Sequence, residues 1–138
     1  SDPGIDAARE ATKIPVFGMQ ESGFLTAMAR GDRIGVVAIS EGSILRHRKY
    51  LRRIGVLDRM VAERPLNMSV AQTASGKDTF ERLEAVSNTL VQQDSADVIV
   101  LGCAGLSVYR SRLETILDCP VVDPTQSAVA MALGAVLA

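Results

Sequence analysis

The most informative stretch of this sequence is Asp97-Val98-Ile99-Val100-Leu101-Gly102-Cys103-Ala104-Gly105. The apolar residues that follow Asp97 form a continuous run, which is typical of a strand buried on both faces of a parallel sheet. Gly102 and Gly105 then predict a tight turn, and the pattern over residues 106–117 predicts a helix. The stretch therefore predicts a strand, a turn that carries a thiol, and a helix.

Further strand and helix patterns lie on both sides of this stretch. Residues 33–39 form a second continuous apolar run, and Ser43 is placed to cap a helix over residues 44–54. A capping-box spacing at Asp78 precedes apolar residues at helical spacing up to about residue 93. Residues 120–122 predict a short strand, followed by a last helix that Thr125 caps. That helix is apolar nearly all round, so we expect it to be buried.

Three segments have weaker patterns. Residues 14–18 form a compact apolar run that could be a strand, and residues 59–63 are a weak strand candidate. Residues 67–76 are ambiguous and could be a loop. Strands that alternate with helices predict an α/β fold, with a parallel sheet between helices in three layers and right-handed crossovers.

Composition narrows the classes of function. The 138 residues carry 15 basic and 16 acidic side chains, which argues against a general polyanion binder. Aromatic residues make up 4% of the chain and Trp is absent, so a stacking platform for single-stranded nucleic acid is not expected. No apolar run approaches the roughly 20 residues of a transmembrane helix. With one His and two cysteines outside a C-x-x-C pair, we expect no metal site and a reducing, cytoplasmic environment.

Three loops follow predicted strands, at the sheet edge where open parallel sheets bind ligands. They are residues 40–43, 102–105 and 123–125. Cys103 would sit before a helix, where free N–H groups and a positive partial charge favour a thiolate. Gly102 and Gly105 would let backbone N–H groups approach a small anion. The alternative is that Cys103 is a small buried hydrophobic residue.

Other candidate residues each have a structural alternative. Ser40 and Ser43 could cap a helix or bind substrate, and Asp123 could be an N-cap or a ligand contact. Cys119 precedes a strand, at the edge of the sheet away from these loops, and we expect it to be structural. His47 shares a helix face with apolar residues and is predicted to be a boundary residue rather than a catalytic one. The basic residues of this helix, Arg46, Arg48, Lys49, Arg52 and Arg53, are expected to form a solvated face, with a subunit interface or an anion patch as the alternative.

Taken together, the chain resembles the aspartate/glutamate/hydantoin racemase superfamily, and its hydantoin and allantoin racemase branch in particular. The strand that ends in Leu-Gly-Cys-Ala-Gly carries most of the likeness, followed by the opening Ser1-Asp2-Pro3-Gly4 with residues 6–9. Residues 33–43 and 120–123 also contribute. The resemblance implies two similar α/β domains with the active site between them, a small-molecule substrate with a carbonyl or carboxylate, no cofactor and a homo-oligomer.

The family's racemases use two cysteines on opposite sides of the substrate's stereocentre, one as thiolate base and the other as thiol acid. The resemblance implies that Cys103 is the second of these cysteines and that Gly102, Ala104 and Gly105 form its anion-binding turn. Ser40, Glu41 and Ser43 would line the pocket from the neighbouring loop, with Asp123 as a further contact. Nucleic acid, membrane and metal are not expected as partners.

Two departures from the family pattern affect the prediction. The family's first cysteine lies just upstream of the Asp-Pro-Gly segment, and this sequence begins at Ser1. We therefore expect a fragment with half an active site, which is itself inactive because it cannot racemise a substrate alone by the two-thiol route. Residues 1–31 would be a remnant of the first domain and residues 32–138 the second domain, whose last helix could return to the first. Ala38 and Ile39 stand where hydantoin racemases often have hydroxyl residues, which leaves the substrate open.

The resemblance leaves two alternatives to a racemase. One is a single-thiol enzyme similar to the arylmalonate decarboxylases or maleate isomerases, in which a lone Cys103 protonates an enolate. The other is a non-catalytic module that binds a small anion.

Overall fold

The structure is a computed structural model that describes residues 2–76 and 78–137. These residues form a sheet of four parallel strands with helices on both faces. The elements in chain order are α1 (Ile5–Ala11), α2 (Met19–Met28), β1 (Ile34–Ala38), α3 (Glu41–Arg53), β2 (Met60–Pro65), α4 (Val70–Ser75), α5 (Thr79–Gln92), β3 (Val98–Leu101), α6 (Arg110–Leu117), β4 (Val121–Val122) and α7 (Pro124–Leu137), with short 3₁₀ segments at Leu57–Arg59 and Ala104–Tyr109.

The two central strands are the continuous apolar runs. The strand order is β2-β1-β3-β4, and every residue of β1 and β3 is buried. In the register, Val36 of β1 lies opposite Val100 of β3, and Val100 lies opposite Val122 of β4. Both faces of the sheet are covered, which is why these strands lack the alternation of a half-exposed sheet.

Two apolar clusters hold the layers together. On one face, Phe24 of α2 and Leu51 of α3 pack in the same cluster as Val36 and Val100. On the other face, the cluster joins buried side chains of α5 and α6 to β1 and β3; they are Phe80, Leu83, Leu90, Leu113, Val37 and Leu101. Full burial of each such side chain contributes roughly 1.5–3 kcal/mol to stability. The predicted three-layer α/β architecture is confirmed.

Helix α7 departs from the expectation of burial. Val129, Leu133 and Val136 are 55%, 60% and 83% exposed, and Ser127 is the one buried residue within the helix as described. The helix packs mainly against α2, so only one side of it contacts another element. The apolar side chains on its other side are therefore exposed. The prediction of a buried last helix is therefore wrong.

Two local predictions near the ends of the first elements are also wrong. Residues 14–18 form no strand; the Arg9 guanidinium donates to the Val16 carbonyl, so this backbone is paired with a side chain instead of a neighbouring strand. Helix α3 begins at Glu41, and Ser43 lies inside it with its hydroxyl bonded to the Ser40 carbonyl at 2.6 Å.

The segment from residue 67 to residue 92 contains two helices rather than a loop and one helix. Residues Val70–Ser75 form α4, with a capping box between Ser69 and Gln72. Asp78 precedes α5 in a left-handed conformation with φ of 55°, and its side chain makes no capping bond. The predicted capping box at Asp78 is thus absent, while an unrecognised one stands nine residues earlier.

Candidate functional site

The carboxyl ends of the strands bring the three predicted loops to one edge of the sheet. Val37 lies opposite Leu101, and the Gly102 amide donates to the Val37 carbonyl at 2.8 Å. Val100 lies opposite Val122, so the loop that starts at Asp123 lies next to the Gly102 turn. The Gly102 turn therefore lies between the loops that follow β1 and β4.

Cys103 is a half-buried free thiol in this turn. It directly precedes the 3₁₀ segment, and its carbonyl accepts a hydrogen bond from the Leu106 amide at 3.1 Å. A side chain at Gly102 would place its Cβ 2.5 Å from the Val37 carbonyl oxygen, so only glycine fits here. Gly105 is less constrained, because a Cβ there would contact Cys103 Sγ at an ordinary 3.8 Å.

A cavity of about 80 Å³ lies beside Cys103. The sheet supplies an apolar floor, including Val36 and Val100, and polar side chains from separate parts of the chain form the walls. The polar or reactive side chains that line it are Asp2, Gln20, His47, Cys103 and Thr125. Such a pocket, apolar with a few converging polar groups, is typical of a small-molecule site.

Of the predicted site residues, Gly102, Cys103 and Ala104 line this cavity, and Ser40, Glu41, Ser43, Gly105 and Asp123 are outside its lining. Ser40 is the N-terminal cap of α3 and Glu41 is exposed beside it. From the third predicted loop, residues 123–125, Pro124 and Thr125 line the cavity.

Asp123 caps the last helix from a buried position. Its Oδ1 accepts from the Thr125 amide at 2.8 Å, and its carbonyl accepts from the Ser127 hydroxyl at 2.9 Å. Its Oδ2 is buried without a hydrogen-bond partner among the described residues. The structure therefore gives Asp123 a definite structural role at the carboxyl end of β4.

His47, which the sequence pattern predicts to be a boundary residue, lines the cavity and is paired with a carboxylate. Its Nδ1 lies 2.5 Å from Glu63 Oε1, and both side chains are largely buried, at 11% and 1% exposed. The helical spacing correctly places His47 on the inner face of α3, and burial there suggested a boundary residue. A carboxylate at Glu63 in a strand is the signal that could have found the pair, because a buried charge needs a partner.

Gln20 and Asp2 were likewise not predicted to line a cavity. The Gln20 amide group donates to the His47 carbonyl at 3.2 Å, and its Oε1 is buried with no partner among the described residues. The Asp2 carboxylate accepts the backbone N–H groups of Gln20 and Glu21, each at 3.1 Å. Because residue 18 before this helix is a glycine, Asp2 supplies the cap that the helix itself lacks.

Cys119 has a different environment from Cys103. It is buried two residues before β4 and does not line the cavity. Burial, and then the nearby Asp97 carboxylate, raises the pKa of the Cys119 thiol. This supports the structural role expected for it.

The basic side chains of α3 lie outside the cavity on an exposed surface. Arg53 forms an ion pair with Asp6 and lies over the Tyr50 ring, 4.8 Å from its centroid. Within the described residues, no group of three His, Cys, Asp or Glu side chains could hold a metal ion. None of the helices in residues 2–76 and 78–137 is long and apolar enough to cross a membrane.

Comparison with known proteins places this arrangement in a family. The family model for Asp/Glu/hydantoin racemase matches residues 1–132. The chain belongs to the Asp/Glu/hydantoin racemase family. The resemblance inferred from the sequence is confirmed.

Individual relatives agree with the family assignment. The chain is 32% identical to a hydantoin racemase of Paenarthrobacter aurescens over 136 residues, covering 95% of this chain and 56% of that protein. It is 31% identical to a hydantoin racemase of Pseudomonas sp. strain NS671 over 132 residues, covering 95% of this chain and 53% of that protein. The chain therefore spans little more than half the length of these relatives.

Solved structures show the same fold. The allantoin racemase from Klebsiella pneumoniae superposes with a TM-score of 0.93 at 26% identity, covering 98% of this chain and 56% of that one. The Gly74Cys mutant of arylmalonate decarboxylase superposes with a TM-score of 0.71 at 20% identity, covering 95% of this chain and 57% of that one. The second match shows a shared fold alone.

Proposed function

We propose that this chain carries the Cys103 half of the active site of a cofactor-independent racemase of the hydantoin or amino-acid type. The observation that carries the proposal is the half-buried thiol of Cys103, which lines a small cavity at the carboxyl ends of the strands. Membership of the racemase family supports the class of reaction. The substrate is a small compound with a C–H bond next to a carbonyl.

The proposed chemistry is proton transfer at that carbon. The Cys103 thiolate takes the proton, and the electron pair of the C–H bond moves onto the carbonyl oxygen to give an enolate-like intermediate. Backbone N–H groups at Ala104 and Gly105 stabilise the developing negative charge. Gly102, whose own N–H is bonded to the Val37 carbonyl, contributes by letting the backbone of the turn come close to the substrate. Return of a proton to the carbon restores the carbonyl, so no electrons are gained or lost overall.

The other predicted residues have supporting roles in this proposal. Ser40, with Glu41 and Ser43 in the first turn of α3, follows β1, and Asp123 follows β4. We assign these four residues to the rim that contacts substrate. The hydrogen bonds of Ser43 and Asp123 are to residues close by in the chain, and none of the four residues lines the cavity. A substrate that contacts them would therefore extend beyond the cavity.

Inversion requires a second proton-transfer group on the opposite side of the carbon. Cys119 is not suited to that role, because it is buried away from the cavity. We place the second group outside these 138 residues, in a first domain of which residues 1–31 form part. The relatives, of which this chain covers 53–56%, have room for such a domain. The proposal includes a homo-oligomer in a reducing cytoplasm, which suits two free thiols.

Hydrogen–deuterium exchange tests the role of Cys103. A single enantiomer of a 5-substituted hydantoin is incubated with the protein in D₂O, and loss of the C5 proton signal is followed by NMR together with optical rotation. The proposal expects exchange that depends on Cys103. Exchange without inversion is expected from this chain, and exchange with inversion from a chain that includes the second group.

Matched cysteine variants provide the control. Cys103→Ser should abolish the exchange, and Cys119→Ser should leave it unchanged. Exchange that survives in Cys103→Ser would remove Cys103 from the mechanism. The intact mass of the protein from its source cell shows whether further residues precede Ser1.

A single-thiol decarboxylase is the second candidate, because Cys103 is the one cysteine at the cavity. In that reaction the C–C bond to a carboxylate breaks, CO₂ leaves, and the Cys103 thiol protonates the resulting enolate. Release of CO₂ from phenylmalonate without exchange of hydantoin protons would favour this function. Binding of either compound without reaction would favour a non-catalytic module.

A further inference from the structure

We propose that the cavity beside Cys103 receives the substituent on the substrate's reactive carbon, and that its apolar floor restricts this substituent to a short aliphatic group. The residues that form this floor are Phe24, Val36, Leu51 and Val100. The inference rests on the proposed function and names a class of substrate for the same site. It depends on the depth of the cavity, on its size, and on the hydrogen bonds that its polar side chains already make.

The cavity runs from an accessible mouth to a buried floor. Phe24, Val36 and Val100 line it and are only 2%, 3% and 3% exposed. Met19 also lines it and is 48% exposed, and the Cys103 thiol is half-buried. Cys103 therefore belongs to the mouth, and the space beyond it is lined by side chains of the core.

The polar side chains of the lining already have partners within the protein. The Asp2 carboxylate accepts two backbone N–H groups, and the Thr125 hydroxyl donates to the Met19 sulfur at 3.6 Å. The Gln20 amide nitrogen donates to the His47 carbonyl, and the ring of His47 is bonded through Nδ1 to a buried carboxylate. Gln20 Oε1 has no partner among the described residues, but the atom is itself buried and so is not open to a ligand. The interior of the cavity thus favours an apolar group over a polar one.

The volume of the cavity limits what can enter it. An apolar cavity of roughly 150 Å³ holds a benzene ring in a protein core. The space beside Cys103, at about 80 Å³, is little more than half as large. It therefore has room for about three carbon atoms, as in an isopropyl group, and excludes both an aromatic ring and the ring of a hydantoin.

The geometry of the reactive carbon decides which part of the substrate enters. In the proposed reaction the hydrogen on this carbon points at Cys103, and the neighbouring carbonyl faces the N–H groups of Ala104 and Gly105. The ring that contains this carbonyl is polar and too large for the cavity, so it stays at the mouth. The substituent is the remaining group on the carbon, and it extends towards the apolar floor. Each carbon buried there strengthens binding about fourfold, the worth of one buried methylene.

Binding of a series of 5-substituted hydantoins tests the inference, with affinities measured by isothermal titration calorimetry. 5-Isopropylhydantoin should bind about fifteenfold more tightly than 5-methylhydantoin, because it buries two further carbons. 5-Benzylhydantoin, whose aromatic ring exceeds the cavity, should bind at least about tenfold more weakly than 5-isopropylhydantoin. Allantoin, whose ureido group is of similar size to isopropyl but polar, should also be at least about tenfold weaker. Equal affinities across the series would overturn the inference.

Nuclear Overhauser effects locate the substituent directly. The methyl groups of bound 5-isopropylhydantoin should show such effects to the methyl groups of Val36 and Val100 and to the ring of Phe24. A complex that forms without contact between the isopropyl group and any of these residues would contradict the proposed position.

A variant that fills the floor tests its control of substituent size. Val100→Ile should reduce the preference for 5-isopropylhydantoin over 5-methylhydantoin from about fifteenfold to about fourfold, because the space for one carbon is lost. Val129→Ile is the matched control, since it adds the same methylene on the exposed side of α7, and it should keep the full preference. An unchanged preference in Val100→Ile would show that the floor sets no limit. Should Val100→Ile fail to fold, the Overhauser effects in the wild-type complex are the deciding measurement.

These readouts separate this inference from the proposed function. The expected order of affinities without any Cys103-dependent exchange would support the cavity as the substituent site and contradict the racemase chemistry. Exchange that depends on Cys103 together with equal affinities would support the chemistry and refute the substituent site. If no hydantoin of the series binds, the inference is wrong.

Discussion

Replacement of Gly102 by alanine places a methyl group where the structure has no room for it. The added Cβ would lie 2.5 Å from the Val37 carbonyl oxygen and 3.2 Å from Ala38 Cα, and both neighbours are backbone atoms of β1. No side-chain rotation can relieve such a contact. The ends of β1 and β3 must separate by roughly 1 Å to restore a normal van der Waals distance.

The cost has two parts. Overpacking of this kind typically destabilises a protein by about 1–3 kcal/mol. Separation of the strands also weakens the hydrogen bond between the Gly102 amide and the Val37 carbonyl, which is 2.8 Å long and worth about 1 kcal/mol. We therefore expect Gly102→Ala to lose about 2–4 kcal/mol in the free energy of unfolding.

Urea denaturation followed by circular dichroism measures this loss. A decrease of about 3 kcal/mol corresponds to a midpoint lower by roughly 1.5 M. Gly134→Ala is the matched control, because a Cβ there meets nothing within 4 Å and the residue lies inside α7. It should be neutral or stabilise by up to about 1 kcal/mol, since alanine favours a helix. A Gly102→Ala protein with the wild-type midpoint would refute the reasoning about the turn.

Two further predictions follow from the environments of titratable groups. Iodoacetamide should alkylate Cys103 more than about tenfold faster than Cys119, because burial shields Cys119 and raises the pKa of its thiol; equal rates by mass spectrometry would contradict this. Glu114→Gln should cost about 1–2 kcal/mol at neutral pH, measured by urea denaturation. Although burial raises the pKa of Glu114, hydrogen bonds from the Val121 amide and Arg30 bring it below its ordinary value of 4.5. The stabilisation is therefore present above about pH 4.5 and is lost as the pH falls through the folded value, so the difference between the two proteins should shrink at acid pH; a constant difference would contradict the assignment.

The strands and the Cys103 turn could be predicted from sequence because their signals are local. A short continuous apolar run predicts a strand that is buried on both faces of a sheet. Gly102 and Cys103 directly follow such a run, so the position of the turn at the end of the strand could be predicted as well. The edge of the sheet at which Cys103 lies could also be predicted, because the carboxyl ends of parallel strands all lie at one edge. The architecture could therefore be predicted from residues that are close together in the sequence.

The polar walls of the cavity could not be predicted in this way. His47 and Glu63 are 16 residues apart on different elements, and Gln20 is 27 residues before His47. The sequence around each residue gives no signal that it contacts the others. Their contact depends on how α2 and α3 pack on one face of the sheet. The exposure of α7 has a similar origin, since composition describes a helix but not what packs against it.

The opening segment shows how one residue links the fold to the cavity. Asp2 accepts two backbone N–H groups at the start of α2 and also lines the cavity. Capping the helix at that point fixes the position of Gln20, the second residue of α2, whose side chain in turn reaches the His47 carbonyl. The carboxylate of Asp2 therefore contributes to the site without having to touch a substrate, because it sets the position of the helix that carries the unpartnered acceptor. The Asp-Pro-Gly motif therefore has a structural reason to lie beside the cavity.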